Sequence, residues 1–208
     1  KFKIDWNYNI SDRMKMGGRG GYEFFPEDGN YLFTMTQWYP RLCVYSDFQG
    51  WQNHQFTGRG EFALTFGNFK VKMNVPADHT IASTGVGKNF SEVLTPEQLA
   101  RWQKAQNATE PIEIVTLDEA KKAEKSKSKN RKTWVFEAEN VRDFAWTSSR
   151  KFIWDAMPQV IAENNNKVMC MSLYPKEAYG LYRKYSTKAV AHTIKTYSDF
   201  TIPYPYPV

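Results

Sequence analysis

The chain is poor in the residues that bind metals and form bridges. Its 208 residues include two cysteines, Cys43 and Cys170, and three histidines, His54, His79 and His192. None of the histidines has a second His within the roughly three to five residues that a zinc-binding pair uses. The sequence has no His-Glu-x-x-His, no Gly-x-Ser-x-Gly elbow and no Walker loop. It therefore offers no visible catalytic apparatus and no metal ligands. Gly17-Gly18-Arg19-Gly20-Gly21 lacks a strand-then-helix context, so it reads as a flexible turn rather than a phosphate cradle. Each cysteine sits in an apolar stretch, where a buried free thiol is the default, although a Cys43–Cys170 bridge stays open. No run approaches the roughly 18 apolar residues of a spanning helix. The chain starts at Lys1 without an initiator Met or an apolar leader, and both ends read as cuts in a longer protein.

Charge of one sign is confined to one place. The formal net charge is +6, and seven basic residues against Glu124 fall between Lys121 and Lys132. The rest of the chain balances. A nucleic-acid face spreads Lys and Arg over a folded surface, so this run, interleaved with Ser126, Ser128 and Asn130, reads as a solvated loop. No nucleic-acid partner is expected.

Aromatics, by contrast, are abundant: 33 residues are Phe, Trp or Tyr. They favour half-buried pleated surfaces. Phe69, Val71, Met73 and Val75 alternate with Lys70, Lys72 and Asn74, which predicts a strand with one wet face. A hairpin partner is expected at residues 61–66, with Gly67-Asn68 as the turn. Further strands are expected at 31–35, 41–45, 81–86, 112–116, 133–138, 141–146 and 167–174. The fold class is mainly β, an antiparallel sandwich or sheet stack, with a helical insertion and a C-terminal helix. Thr95-Pro96-Glu97-Gln98 predicts a helix from 96 to about 106, and a weaker one covers 117–125. The last helix spans 176–200, with Leu181, Tyr185, Ala189 and Thr193 at four-residue steps, before Pro203, Pro205 and Pro207. This divides the chain into a β-rich domain at 1–174, with an insertion at 95–132, and the opening of something helical at 175–208.

Five ordered blocks carry a resemblance. They are Tyr31 to Arg41 with Gln37-Trp38-Tyr39-Pro40 at its core, Val44 to Trp51, Gly60-Glu61-Phe62 with Val71 to Ala77 and Ala82 to Gly85, Asn140-Val141-Arg142-Asp143-Phe144-Ala145-Trp146, and Ile202 to Pro207. In that order they resemble aminopeptidase N-like zinc metallopeptidases of the gluzincin type, over the N-terminal β domain and the start of the catalytic domain. The resemblance implies a domain that packs on the catalytic part of the same chain and shapes a cleft for peptide substrates. Zinc, its ligands and the general base would lie in the parent's catalytic domain, so this portion alone would be inactive and hold no cofactor. It also implies a loop offering two polar side chains to the substrate's α-amine. The ungapped match places these at Met35 and Gln37, of which only Gln37 is polar. Trp38, Tyr39 and Trp51 then read as packing for that loop. The resemblance favours a bacterial envelope or secreted location over a cytoplasmic one. The terminal helix, whose partners would lie elsewhere in the parent, is expected to pack loosely, swap, or join a homodimer. A second reading stays open: an aromatic-rich module binding carbohydrate or protein, with Trp38, Tyr39 and Trp51 as its platform.

Overall fold

The computed structural model describes residues 1–55, 58 and 63–208. A short helix α1 (Arg13–Met16) precedes a hairpin of β1 (Gly21–Phe25) and β2 (Asn30–Met35). A small hairpin of β3 (Tyr45–Ser46) and β4 (Gly50–Trp51) follows, then β5 (Gly67–Pro76), β6 (Thr80–Ser83) and β7 (Val86–Gly87). The insertion contains α2 (Phe90–Val93), α3 (Pro96–Ala105), β8 (Ile112–Val115) and α4 (Leu117–Ser126). After it come β9 (Arg131–Val141), β10 (Trp146–Ser149), β11 (Ile153–Ile161), β12 (Asn166–Tyr174) and the helix α5 (Tyr179–Phe200), entered through a 3-10 turn.

The strands form sheets in the orders β1-β2-β10-β6, β5-β9-β7 and β12-β11-β8, besides the β3-β4 hairpin, and all these ladders are antiparallel. The fold is thus mainly β, with several antiparallel sheets and a C-terminal helix. Alternation explains β5: Lys70, Lys72 and Asn74 are exposed, while Met73 turns inward with Trp134, Phe136 and Ala138 of β9. Both insertion helices begin with full capping boxes, Thr95 with Gln98 and Thr116 with Glu119. The largest core cluster joins Trp134, Phe144 and Trp154 to Ile81, Ile114 and Leu94, so the insertion packs into the sheets.

Several expectations need correction. Residues 63–66 form no strand, and β5 begins at Gly67, so Gly67-Asn68 is strand rather than turn. Residues 59–62, which include the Gly60-Glu61-Phe62 block, lie outside the described residues. Residues 41–44 are irregular and only Tyr45–Ser46 is strand. The 81–86 run is broken at Gly85, whose φ is +86° and where a Cβ would sit 2.4 Å from the Glu137 carbonyl oxygen. Only glycine fits there. The expected 141–146 strand is instead the end of β9, a connection at 142–145 and the start of β10, while β1, most of β10 and β11 escaped the pattern reading. Cys43 is exposed rather than buried, and both cysteines are free.

The basic run is not a loop either. It ends α4, turns, and starts β9; Lys121, Lys122, Lys125 and Lys129 are exposed as expected, but two other members reach fixed acceptors. Lys127 Nζ donates to the Asp28 and Gly29 carbonyls at 3.0 and 2.8 Å, and Lys132 Nζ to the Val93 carbonyl at 3.1 Å. Burial holds Lys132 down to about 8.

Helix α5 lies on β11 and β12 with its Thr187, Ala191 and Ser198 side buried, and Ser172 Oγ donates to Ser186 Oγ at 2.9 Å. The Leu181, Tyr185 and Ala189 stripe faces outward, with Leu181 62% and Tyr185 52% exposed. Small residues bring a helix close to a sheet, so they make the contact while the large ones point away.

Candidate functional site

Two of the quoted blocks meet in space. Strand β2 ends at Met35, which pairs with Trp146 of β10 and is buried. The chain leaves the sheet at Thr36, and Gln37 adopts a φ of +46°. A non-glycine residue in that region is uncommon and needs its neighbours to hold it. They do so through three anchors. Trp38 Nε1 donates to the Phe144 carbonyl at 2.8 Å. Tyr39 Oη donates to Asp143 Oδ1 at 3.0 Å, and Arg41 Nη1 pairs with the same oxygen at 2.9 Å. Asp143 Oδ1 also accepts from the Phe144 amide at 2.8 Å. Asp143 is therefore the hub on which the 37–41 loop is hung.

Aromatic packing backs this hub. Trp38 meets Tyr39 and Trp146 edge-on at 5.1 and 6.3 Å, and Tyr39 meets Phe69 at 5.7 Å. Trp6 Nε1 closes the outside by donating to the Trp38 carbonyl at 3.2 Å. Burial and the Asp143 carboxylate push the Tyr39 hydroxyl up to about 12, so it stays a proton donor at neutral pH.

What this presents to solvent is Gln37. Its side chain is exposed and makes no hydrogen bond among the described residues. Met35, the other position of the expected polar pair, is only 4% exposed and lies beneath the sheet. Trp38 and Tyr39 pack as expected. Trp51 does not: it is 62% exposed, edge-on to Tyr45 at 5.2 Å, beside an exposed Phe48. A flat platform of Trp38, Tyr39 and Trp51 does not exist, because the first two rings are built into the junction.

A second cluster was missed by sequence reasoning. Lys151 is fully buried, and its Nζ donates to Asp28 Oδ2, to Glu124 Oε1 at 2.9 Å and to Glu177 Oε1 at 3.0 Å. Lys176 Nζ bonds Asp28 Oδ2 at 2.9 Å and also Glu124 Oε2. Burial alone would push Asp28 up, but hydrogen bonds from the two lysines outweigh it and hold it at about 2. The three carboxylates lie within 4.8 Å of one another, close enough for a metal ion. Lys151 already fills the centre of the trio, and an all-carboxylate set lacks the His ligands expected of a peptidase zinc. These residues do not fit such a site.

The histidines are scattered. His54 and His192 are exposed, and His79 Nδ1 lies 2.8 Å from Ser148 Oγ. Both partners of that pair are at least 95% buried, and burial with Arg150 nearby holds His79 down to about 4. A base that weak, sealed from substrate, does not activate a serine.

No family model matches the chain, and neither a curated protein nor a solved structure matches it. No described helix is long and apolar enough to cross a membrane.

Proposed function

We propose that this chain is the non-catalytic, β-rich N-terminal portion of a zinc-dependent peptidase resembling the aminopeptidase N-like enzymes. In that reading it packs on a catalytic portion of the same polypeptide and lines the mouth of its substrate cleft. The observation that carries the proposal is the junction of the Gln37-Trp38-Tyr39-Pro40 loop with Arg142-Asp143-Phe144. Four side-chain bonds and a left-handed residue hold one neutral amide, Gln37, out from a rigid base. Such rigidity suits a group that must position a substrate's end. A neutral amide accepts a hydrogen bond from an ammonium more weakly than a carboxylate does, which fits a tolerant rather than strict preference for free amino termini. The exposed Tyr45, Phe48 and Trp51 hairpin that follows the loop in sequence supplies apolar surface for the catalytic portion to cover.

The test is kinetic, on the full reading frame that contains this chain. Gln37→Ala should raise KM about three- to tenfold for peptides with a free amino terminus and leave acetylated peptides unchanged. A full-length protein without chelator-sensitive peptidase activity would defeat the reading. Saturable binding of a neutral oligosaccharide, quenching tryptophan fluorescence, would favour the binding-module alternative.

A further inference from the structure

We propose that the outward face of α4, with the turn that follows it, is a docking surface for an anionic lipid bilayer, held by charge and without insertion. The chain's formal net charge is +6, and its run from Lys121 to Lys132 carries seven basic residues against Glu124. That acid does nothing to neutralise the outside. It is 5% exposed and turned inward, where Lys151 and Lys176 bond it. Asp78, which touches the turn, is occupied as well. It pairs with Arg150 and accepts from Ser126 Oγ at 2.6 Å and from the Ser128 amide at 2.7 Å.

The cations that remain outside stand together. At about 100° per residue, Lys121, Lys122 and Lys125 share one side of α4, opposite the buried Ala120 and Glu124. All three are exposed, as is Lys129 beyond the helix, and none of the four has a carboxylate partner among the described residues. Arg131 is exposed too, and its side chain is held by Asn74, which is neutral. The exposed acids on these elements are Asp118, in the first turn of α4, and Glu27, beside the carbonyls that hold Lys127. Cations dominate this surface.

The surface is also braced. Glu119 takes Arg101 at 2.6 Å, and Lys127 is tied to the β1–β2 turn. The Ala77 amide donates to the Asn130 carbonyl at 2.8 Å. A run that served only to be solvated would need none of these ties. Lysines on a fixed frame keep their spacing, so less freedom is lost when they meet a partner.

The chemistry selects that partner. Residues 117–131 contain no aromatic residue, and their single arginine is engaged by Asn74, so a nucleic acid finds no ring to stack on and no free guanidinium fork. Lysine heads are hydrated point charges on flexible stems, which suit the diffuse charge of a headgroup layer. No large apolar side chain is exposed within 117–131, so nothing there inserts, and the contact is one that salt weakens. This inference is independent of the peptidase reading, since it needs no catalytic portion.

The experiment sediments the 208-residue chain with vesicles of equal phosphatidylglycerol and phosphatidylcholine, against vesicles of phosphatidylcholine alone. Saturable binding to the charged vesicles only is expected in about 20 mM salt, at least about tenfold weaker in about 200 mM salt. Lys125→Gln should weaken it about fivefold. Lys195→Gln removes the same charge near the far end of α5 and should weaken it less than about twofold. Both positions are exposed, so both variants should keep the parent's circular dichroism. Four outcomes would overturn the proposal: no binding at low salt, equal binding to neutral vesicles, equal losses in the two variants, or tighter binding of an oligothymidylate than of the charged vesicles. The third would reduce the effect to net charge, and the last would assign the surface to nucleic acid.

Discussion

Asp28 and Asp155 are the same residue type with opposite fates: the first is half-buried, the second sealed. Asp28 sits between two ammonium groups and is held at about 2. Asp155 is fully buried in β11, and burial pushes it up to about 6, with only a hydrogen bond from Tyr174 at 2.6 Å and the more distant Arg183 opposing. Its Oδ1 has no hydrogen-bond partner among the described residues. Both depth and company act here: Asp28 keeps some exposure and has two ammonium groups on it, whereas Asp155 is sealed with no cation in contact. One end of the domain is clamped by satisfied charge, and the sheet under α5 carries a charge left half satisfied.

Breaking the clamp should give the largest effect. Lys151→Met would leave the buried Glu124 and the half-buried Asp28 with one cation between them, at an expected cost of about 3 kcal/mol or more in urea unfolding. A loss below about 1 kcal/mol would mean that water reaches the cluster and that the contrast with Asp155 is false.

The second test reverses the sign. Asp155 binds its proton more tightly folded than unfolded, whose pKa is about 3.9. Its burial is therefore harmless below about pH 4, and stability is lost as pH rises towards about 6. Asp155→Asn should gain about 1–2 kcal/mol at pH 8 and almost nothing at pH 4. His79, held near 4, works the other way: its contribution is present above about pH 6.5 and is lost as pH falls towards 4. Denaturation curves of the Asp155→Asn variant should therefore fall on acidification more steeply than those of the parent.

The smallest test concerns backbone rather than charge. Gln37→Gly removes a side chain from a φ of +46° and should change stability by less than about 1 kcal/mol, in the stabilising direction. A clear destabilisation would mean that the Gln37 amide has a structural partner after all.

Much of the sheet framework was legible in the sequence because strands such as β5 alternate and helices α3 and α4 announce themselves with capping residues. The junction was half legible. Its two blocks stood out, but the bonds from Tyr39 and Trp38 span 104 and 106 residues, and no local pattern encodes which aspartate or carbonyl they will meet. The same distance hid the lysine clamp. Lys127 and Lys132 looked like part of a solvated run because their acceptors are remote in sequence, in the β1–β2 turn and at the end of α2. The face of α5 misled for another reason: apolar periodicity marks large side chains, whereas Thr187, Ala191 and Ser198 make the contact by being small.

The clamp has a kinetic consequence. Its bonds join residues 123 and 148 positions apart, from Asp28 to Lys151 and to Lys176. Closing such long loops is slow, so these contacts belong to the last steps of folding rather than to its nucleus. Interactions absent from the transition state act on the way out. Lys151→Met should therefore leave the refolding rate nearly unchanged and speed unfolding by about a hundredfold, the rate equivalent of about 3 kcal/mol. The lysine that looks like a stabilising pair is, on this account, a lock on the native state's lifetime.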